Sequence, residues 1–204
     1  MIPIVHRVNT VAHLATVPID HGVEVDLRDH DDRVVLQHDP FRGAGGEDFE
    51  TYLENYCHRF IVLNVKSERI EHRVLELMHQ HRVEDYFLLD CSFPMIRTLA
   101  MQGERRIASR FSEYEPLENV LALAGMIDWV WVDCFSKMPL TPESYAAMKV
   151  HFKLCVVSPE LQGHGTNLIR EFNAKLAKYD IDAVCTKRPD LWRDAQYGQP
   201  RTPF

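Results

Sequence analysis

The chain has 204 residues, enough to bury most of its apolar surface in one core. Its hydrophobic fraction of 46% and charged fraction of 26% are those of an ordinary globular protein and argue against disorder. A formal charge of -7 and a pI near 5.9 exclude broad nucleic-acid or anionic-membrane binding as a main role, because both need a basic face, while leaving room for a local basic pocket.

From Met1 to Arg7 there is no basic leader ahead of a long apolar stretch, so no secretory signal is expected. No apolar run approaches the roughly 18 residues that span a bilayer, so no transmembrane segment is expected. The cysteines, Cys57, Cys91, Cys134, Cys155 and Cys185, are odd in number and form no C-x-x-C pair. That pattern predicts a reduced, cytoplasmic protein without a zinc or disulfide framework.

Short apolar runs recur along the chain: IPIV at 2, VEVDL at 23 with RVVL at 33, IVLNV at 61, YFLLDC at 86, RIASRF at 106, DWVWVDC at 128, FKLCVV at 152 and IDAVC at 181. Rich in Val, Ile and aromatics, they read as strands buried on both faces. Asp29-His30-Asp31-Asp32 reads as a turn, making the second run a hairpin that brings His38 and Asp39 back towards its start. Helical patterns lie between the runs. From Ser67 to Arg82, Ile70, Val74, Leu77 and Met78 share one face and Ser67 stands as N-cap. Thr141-Pro142-Glu143 starts another helix, and further amphipathic stretches run over 47–58, 116–126 and 166–178.

Strand-helix units spaced roughly 20 to 30 residues apart predict an economical (β/α)₈ TIM barrel, a single domain over 1–204. The competing open doubly wound sheet lacks its signature, since no G-x-G-x-x-G follows any strand. Trp129 and Trp131 alternate with Val130 and Val132 and are expected to pack against helices. The tail from Arg188 to Phe204 is expected to wrap the barrel base or to contact a second copy in a homo-oligomer.

In a parallel barrel, chemistry collects where strands end and loops begin. His6 and Arg7 end the first strand, Glu24 and Asp26 lie on the second, Asn64 and Lys66 on the third, and Asp90 ends the fourth. Glu24 and Asp26 are one residue apart and so face the same way, with Val23, Val25 and Leu27 facing the helices. Two inward carboxylates stay ionised together only if cations compensate them. A divalent ion such as Mg²⁺ or Ca²⁺ suits these oxygens, and an ion network with Arg7 and Lys66 serves equally well. His6 and His38, at strand ends beside the pair, could share general acid and base work on a phosphodiester.

His6-Arg7, Asn9-Thr10, Gly22-x-Glu24-x-Asp26, Val34 to His38-Asp39 and Asn64-Val65-Lys66 follow one another in an order that resembles the glycerophosphodiester phosphodiesterases, members of the phospholipase C-like phosphodiesterase superfamily. The match covers about the first third of the chain. It implies a (β/α)₈ barrel and a phosphoric diester hydrolase or cyclising lyase acting on a small glycerol- or polyol-type phosphodiester. By the same resemblance, His6 and His38 are the acid/base pair, Arg7 and Lys66 hold the phosphate, and Glu24, Asp26 and the Asn64 oxygen hold one divalent cation, Mg²⁺ or Ca²⁺. Asp90, Glu160 and Lys187 are expected to line the pocket.

Three departures stand out. Val8 replaces the glycine that resembling enzymes carry after His-Arg. Asn64 replaces their third-strand Glu and removes a charge from the cation site, which Asp90 or Glu68 is placed to restore. The loop after the second strand shrinks to Pro40-Phe41-Arg42-Gly43-Ala44-Gly45-Gly46, which suits a short lid with Phe41 and Arg42 touching substrate and a plain flexible connection equally well. Two other readings compete: a phosphate-ester-binding module on the same barrel that has lost turnover, and an unrelated barrel enzyme handling a sugar phosphate.

Overall fold

The apolar runs become strands because each carries β-branched or aromatic residues on both faces and has a layer to bury each against. In a computed structural model, which describes residues 1–43 and 45–192, they are β1 (Ile2–Val5), β2 (Gly22–His30), β3 (Arg33–Leu36), β4 (Glu47–Asp48), β5 (Phe60–Val65), β6 (Tyr86–Leu89), β7 (Ala108–Phe111), β8 (Trp129–Val132), β9 (Lys153–Val157) and β10 (Ala183–Thr186). Eight of them run parallel in the order β7-β8-β9-β10-β1-β2-β5-β6. The seam between β6 and β7 carries a single parallel bridge, Leu88 to Ile107, instead of a ladder. The fold is therefore the expected TIM barrel, with one seam only tacked together. As anticipated, β3 folds back antiparallel on β2, pairing Leu27 with Leu36 and His30 with Arg33; β4 adds a short bridge beyond it.

The helices are α1 (Val11–Leu14), α2 (Phe49–Glu54), α3 (Glu71–Gln80), α4 (Phe93–Met101), α5 (Leu117–Leu121), α6 (Pro142–Lys149) and α7 (Asn167–Leu176), with a 3₁₀ turn at Pro159–Gln162. Thr10 caps α1 by accepting from the His13 N–H, and Thr141 with Ser144 forms a reciprocal capping box on α6. Ser67 does not cap α3. The chain leaving β5 first turns through a left-handed Arg69 (φ 74°), so the helix starts only at Glu71. The sequence patterning passed over α4, because Phe93 to Met101 is apolar on nearly every side and shows no stripe; only Ile96 and Leu99 are buried. No helix of the described residues is long and apolar enough to cross a membrane.

Two layers of core follow. Between sheet and helices lie Val23, Val25, Leu27, Val130 and Val132 among others, as the alternation requires. The barrel interior holds Ile4, Phe60, Val62, Phe87, Leu89, Trp129, Trp131, Cys155 and Cys185. Trp129 and Trp131 thus point inward, opposite to the sequence expectation. Their neighbours Val130 and Val132 take the helix side, and only the wide barrel lumen has room for two indoles. Trp129 packs on Phe60 and Phe87 at ring-centroid distances of 5.2 and 4.8 Å, an aromatic plug at the strand N-terminal end. Truncating any one of these rings to alanine would cost about 3–5 kcal/mol. The expectation for the tail falls largely on residues 193–204, outside the described residues. Within them, Trp192 is buried and its indole N–H donates to Ser158 Oγ at 2.8 Å.

Candidate active site

The plug closes the barrel from below, so polar groups above it sit on a dry floor. On β2, Glu24 and Asp26 point into this interior with 1% and 0% of their surface exposed. Burial first, and the neighbouring Asp26 second, push the Glu24 carboxyl above the usual carboxylate range, against opposing hydrogen bonds from Asn64 and Arg7. Arg7, two residues past β1, takes a left-handed conformation (φ 56°), and its backbone N–H donates to Glu24 Oε2 at 2.8 Å. That turn is made at Arg7 and not at the next position, where Val8 is fully buried in the sheet-helix core and donates its N–H to the Glu24 carbonyl. Asn9 makes a reciprocal pair with Asp26: its amide donates to Oδ2 at 2.8 Å and its Oδ1 accepts the Asp26 N–H at 2.9 Å.

Asn64, opposite Asp26 in the β2-β5 register, donates its amide to Glu24 Oε1 at 2.8 Å. Its own Oδ1 is left buried without a hydrogen-bond partner, and so is Asp26 Oδ1. Arg7 Nε and Lys66 Nζ each lie 3.8 Å from an Asp26 oxygen, too far for strong pairing. Two carboxylates and an amide, with two orphaned oxygens between them, fit a hard cation. No group of three His, Cys, Asp or Glu able to hold a metal occurs among the described residues, so the third ligand would have to be the neutral Asn64. Neither proposed replacement restores the missing charge: Glu68 is exposed, and both oxygens of Asp90 are taken by Lys66 and Arg110.

The two histidines reach the same mouth from different elements. His6 follows β1 with Nε2 3.8 Å from Glu24 Oε2 and Nδ1 buried without a partner. Burial, then the charges of Arg7, Lys187, His38 and Lys66, push its pKa down to about 3, so the ring is neutral. His38 leaves the hairpin with Nδ1 2.8 Å from Asp39 Oδ1 and Nε2 against an Arg7 Nη2 donor. The Asp39 carboxylate therefore accepts a hydrogen bond from Nδ1–H and fixes the tautomer. The hydrogen bonds from His38 and Arg42 hold its own carboxyl down at about 2. A testable consequence concerns His6. The unfolded chain protonates this ring near 6.5 and the folded chain near 3, so stability is lost as pH falls through that window. His6→Gln should flatten this part of a plot of Tm against pH; an unchanged slope would mean the ring protonates normally in the fold.

From Asp26 an ion-pair ladder crosses the mouth. Lys66 Nζ bonds Asp90 Oδ2 at 3.1 Å, Arg110 grips Asp90 at 2.7 and 3.0 Å, and Arg110 also pairs with Asp133. Burial opposes the charge on Asp90, yet Arg110 and Lys66 together hold its carboxyl below the usual range. Asp90 is thus a holder of Lys66 and not an open pocket wall. Glu160 is likewise committed: it accepts from Thr186 Oγ1 at 2.6 Å, from the Lys187 N–H at 3.0 Å and from Ser158, locking the loops after β9 and β10. Lys187 is exposed and close enough to His6 to act on its charge. In the loop after β3, Phe41 is fully exposed and Arg42 pairs with Asp39 at 2.7 Å, so Arg42 supports the His38-Asp39 pair.

A glycerophosphodiester phosphodiesterase from Thermotoga maritima matches at a TM-score of 0.71 and 16% identity over 96% of this chain and 97% of that one. The chain shares its barrel fold. A glycerophosphoryl diester phosphodiesterase from Parabacteroides distasonis matches at 0.69 and 14%, over 98% of this chain and 88% of that one. A glycerophosphodiester phosphodiesterase from Agrobacterium tumefaciens matches at 0.66 and 17%, over 94% and 99%. No protein-family profile and no curated protein matches the sequence. The likeness is carried by backbone architecture along nearly the whole chain.

Each sequence-singled residue of the first three parallel strands does reach this mouth. Sequence reasoning missed the roles of Asn9, Arg28 and Asp39, and the depth of the Arg110 ladder. For Arg28 a signal was present: it stands in phase with Glu24 and Asp26 on β2. Arg110 and Asp133 also stand at strand ends in the sequence, but nothing local pairs them, since only the closed barrel brings the β6, β7 and β8 ends together.

Proposed function

We propose that the chain is a phosphoric diester hydrolase or cyclising lyase of the glycerophosphodiester phosphodiesterase type, acting on a small glycerol- or polyol-type phosphodiester in the cytoplasm. The observation that carries this reading is the convergence of a neutral His6, an Asp39-aligned His38, and the cations of Arg7 and Lys66 around the Glu24-Asp26 pair, on a barrel shared with three such enzymes.

Arg7 and Lys66 bind the phosphate, where charge builds on the equatorial oxygens as the phosphorus is attacked. His6, neutral and with an unpartnered nitrogen, takes the proton of a substrate hydroxyl beside the phosphate. That oxygen forms a bond to phosphorus as the bond to the leaving alcohol breaks. His38, freed when Arg7 turns to the phosphate, takes up a solvent proton at Nε2 and as imidazolium, steadied by Asp39 at Nδ1, delivers it to the leaving oxygen. The products are a cyclic phosphate and an alcohol; water opens the ring when the same pair acts in reverse. Glu24, Asp26 and the Asn64 oxygen would hold one divalent cation, Mg²⁺ or Ca²⁺, which supplies Lewis-acid polarisation of a phosphoryl oxygen.

The Asn64 amide committed to Glu24 favours, as the second reading, a phosphate-ester-binding module with feeble turnover. The two part in one experiment, an assay of glycerophosphodiesters with and without added Mg²⁺ or Ca²⁺, alongside calorimetric titration of the same compounds. Cation-dependent release of the head-group alcohol is expected. Micromolar binding without release would replace the enzyme by the binding module.

A further inference from the structure

Arg28 extends the in-phase series of Glu24 and Asp26 by one more position, and the end of β2 lifts it above the carboxylate pair. It is half-buried, and its guanidinium bonds main chain instead of a carboxylate. Nε and Nη2 donate to the His38 carbonyl at 3.0 and 2.9 Å, and Nη1 donates to the Lys66 carbonyl at 2.8 Å. Both carbonyls lie just past the end of a ladder. The β2-β3 pairing stops at Leu36, with Gln37 N–H returning to the Asp26 carbonyl, and the β2-β5 pairing stops at Val65, with Lys66 N–H returning to Leu27. Beyond those points the sheet no longer fixes the backbone. The planar guanidinium spans the two strand ends like a clip.

We propose that Arg28 is a positioning residue of this site, setting the separation between the histidine that delivers a proton and the lysine that holds the phosphate. The role rests on the phosphodiesterase reading above. It follows from chemistry: a guanidinium offers donors in a rigid fork that can serve two carbonyls at once, while an ammonium radiates three donors from a single point. His38 is then held at three places, its carbonyl by Arg28, Nδ1 by Asp39 and Nε2 by Arg7. Lys66 is held at two, its carbonyl by Arg28 and its ammonium by Asp90. Displacing a proton donor from the phosphate by about 1 Å is enough to cost on the order of 100-fold in rate.

The test uses Arg28→Lys, Arg28→Met and Arg28→Ala in the full chain. Two readouts are combined: kcat and KM on a glycerophosphodiester, and the ¹⁵N signals of the His38 ring with their pH titration, assigned by their loss in His38→Ala. In Arg28→Lys and Arg28→Met, kcat is expected to fall about 10- to 100-fold with KM within about threefold, and the His38 signals are expected to shift. Millimolar guanidinium is expected to restore part of kcat in Arg28→Ala and nothing in the lysine variant, whose ammonium fills the place. If the methionine variant does not fold, the lysine variant decides by the same criteria. A lower Tm with kcat and the His38 spectrum unchanged would overturn the proposal, leaving a structural strap. So would a loss of kcat with an unshifted His38 spectrum. Should the wild type turn over no phosphodiester, the phosphodiesterase reading fails by itself, and the ring spectrum still decides whether Arg28 sets His38.

Discussion

Alanine at His6 or at His38 is expected to lower turnover of a glycerophosphodiester by about 10²- to 10⁴-fold, the range a positioned acid or base contributes. The two losses arise differently. His6 is held neutral by its surroundings, chiefly by burial, so its lone pair is free across the working pH range, and a bound phosphate, by offsetting the cations around the ring, would raise its basicity. His38 owes its orientation to Asp39, which takes Nδ1 and turns Nε2 to the site. Because both rings serve one transition state, the double variant should fall well short of the product of the single effects. Steady-state kinetics with circular dichroism as a check on folding would measure this. Either alanine variant retaining activity within about threefold of wild type would sink the acid-base assignment.

Glu24→Gln is expected to abolish activity and to stabilise the cation-free protein. In the fold the Glu24 pKa lies above its unfolded value of 4.5, so the folded chain keeps a proton that the unfolded chain releases. Stability from this group therefore falls as pH rises above 4.5, and by pH 8 the buried charge is a burden. Each pH unit of such a shift is worth about 1.4 kcal/mol. Neutralising the group should raise Tm at pH 8 in chelator by roughly 5 °C or more for a chain of this size, and by little at pH 4.5. Wild type is expected to gain a comparable amount from Mg²⁺ or Ca²⁺ at about 100 times the dissociation constant, where binding adds about 2.7 kcal/mol. Glu24→Gln should lose that response, and Asn64→Glu should strengthen it by returning a carboxylate to the third position. A wild-type Tm insensitive to either ion would remove the cation from the proposal and leave Arg7 and Lys66 as the compensating charges.

How much of this was legible beforehand depends on range. The β2 stretch announced itself: alternation put Glu24 and Asp26 on one face and Val23, Val25 and Leu27 on the other, as the structure has them. The same rule named a face for Trp129 and Trp131 but not which side of the sheet that face meets. That choice belongs to the closed barrel, whose lumen needs large side chains to fill it. Ser67 failed as a cap because a left-handed Arg69 intervenes, a turn no local propensity encodes for arginine. Asn64 was readable as a missing charge. That its amide would be spent on Glu24 was not, since the two residues meet only across the β2-β5 pairing.

By itself, then, the sequence determined the succession of strands, the hairpin in the second unit, and the residue types that end the first parallel strands, all properties of local period and composition. The tertiary structure decided what those residues do to one another. It set His6 in a buried cationic surround, gave Asp90 to Lys66 and Arg110, and carried Arg28 across two strand ends. Such assignments depend on distances between segments far apart in the chain, and chain-local pattern holds no information about them until the barrel closes.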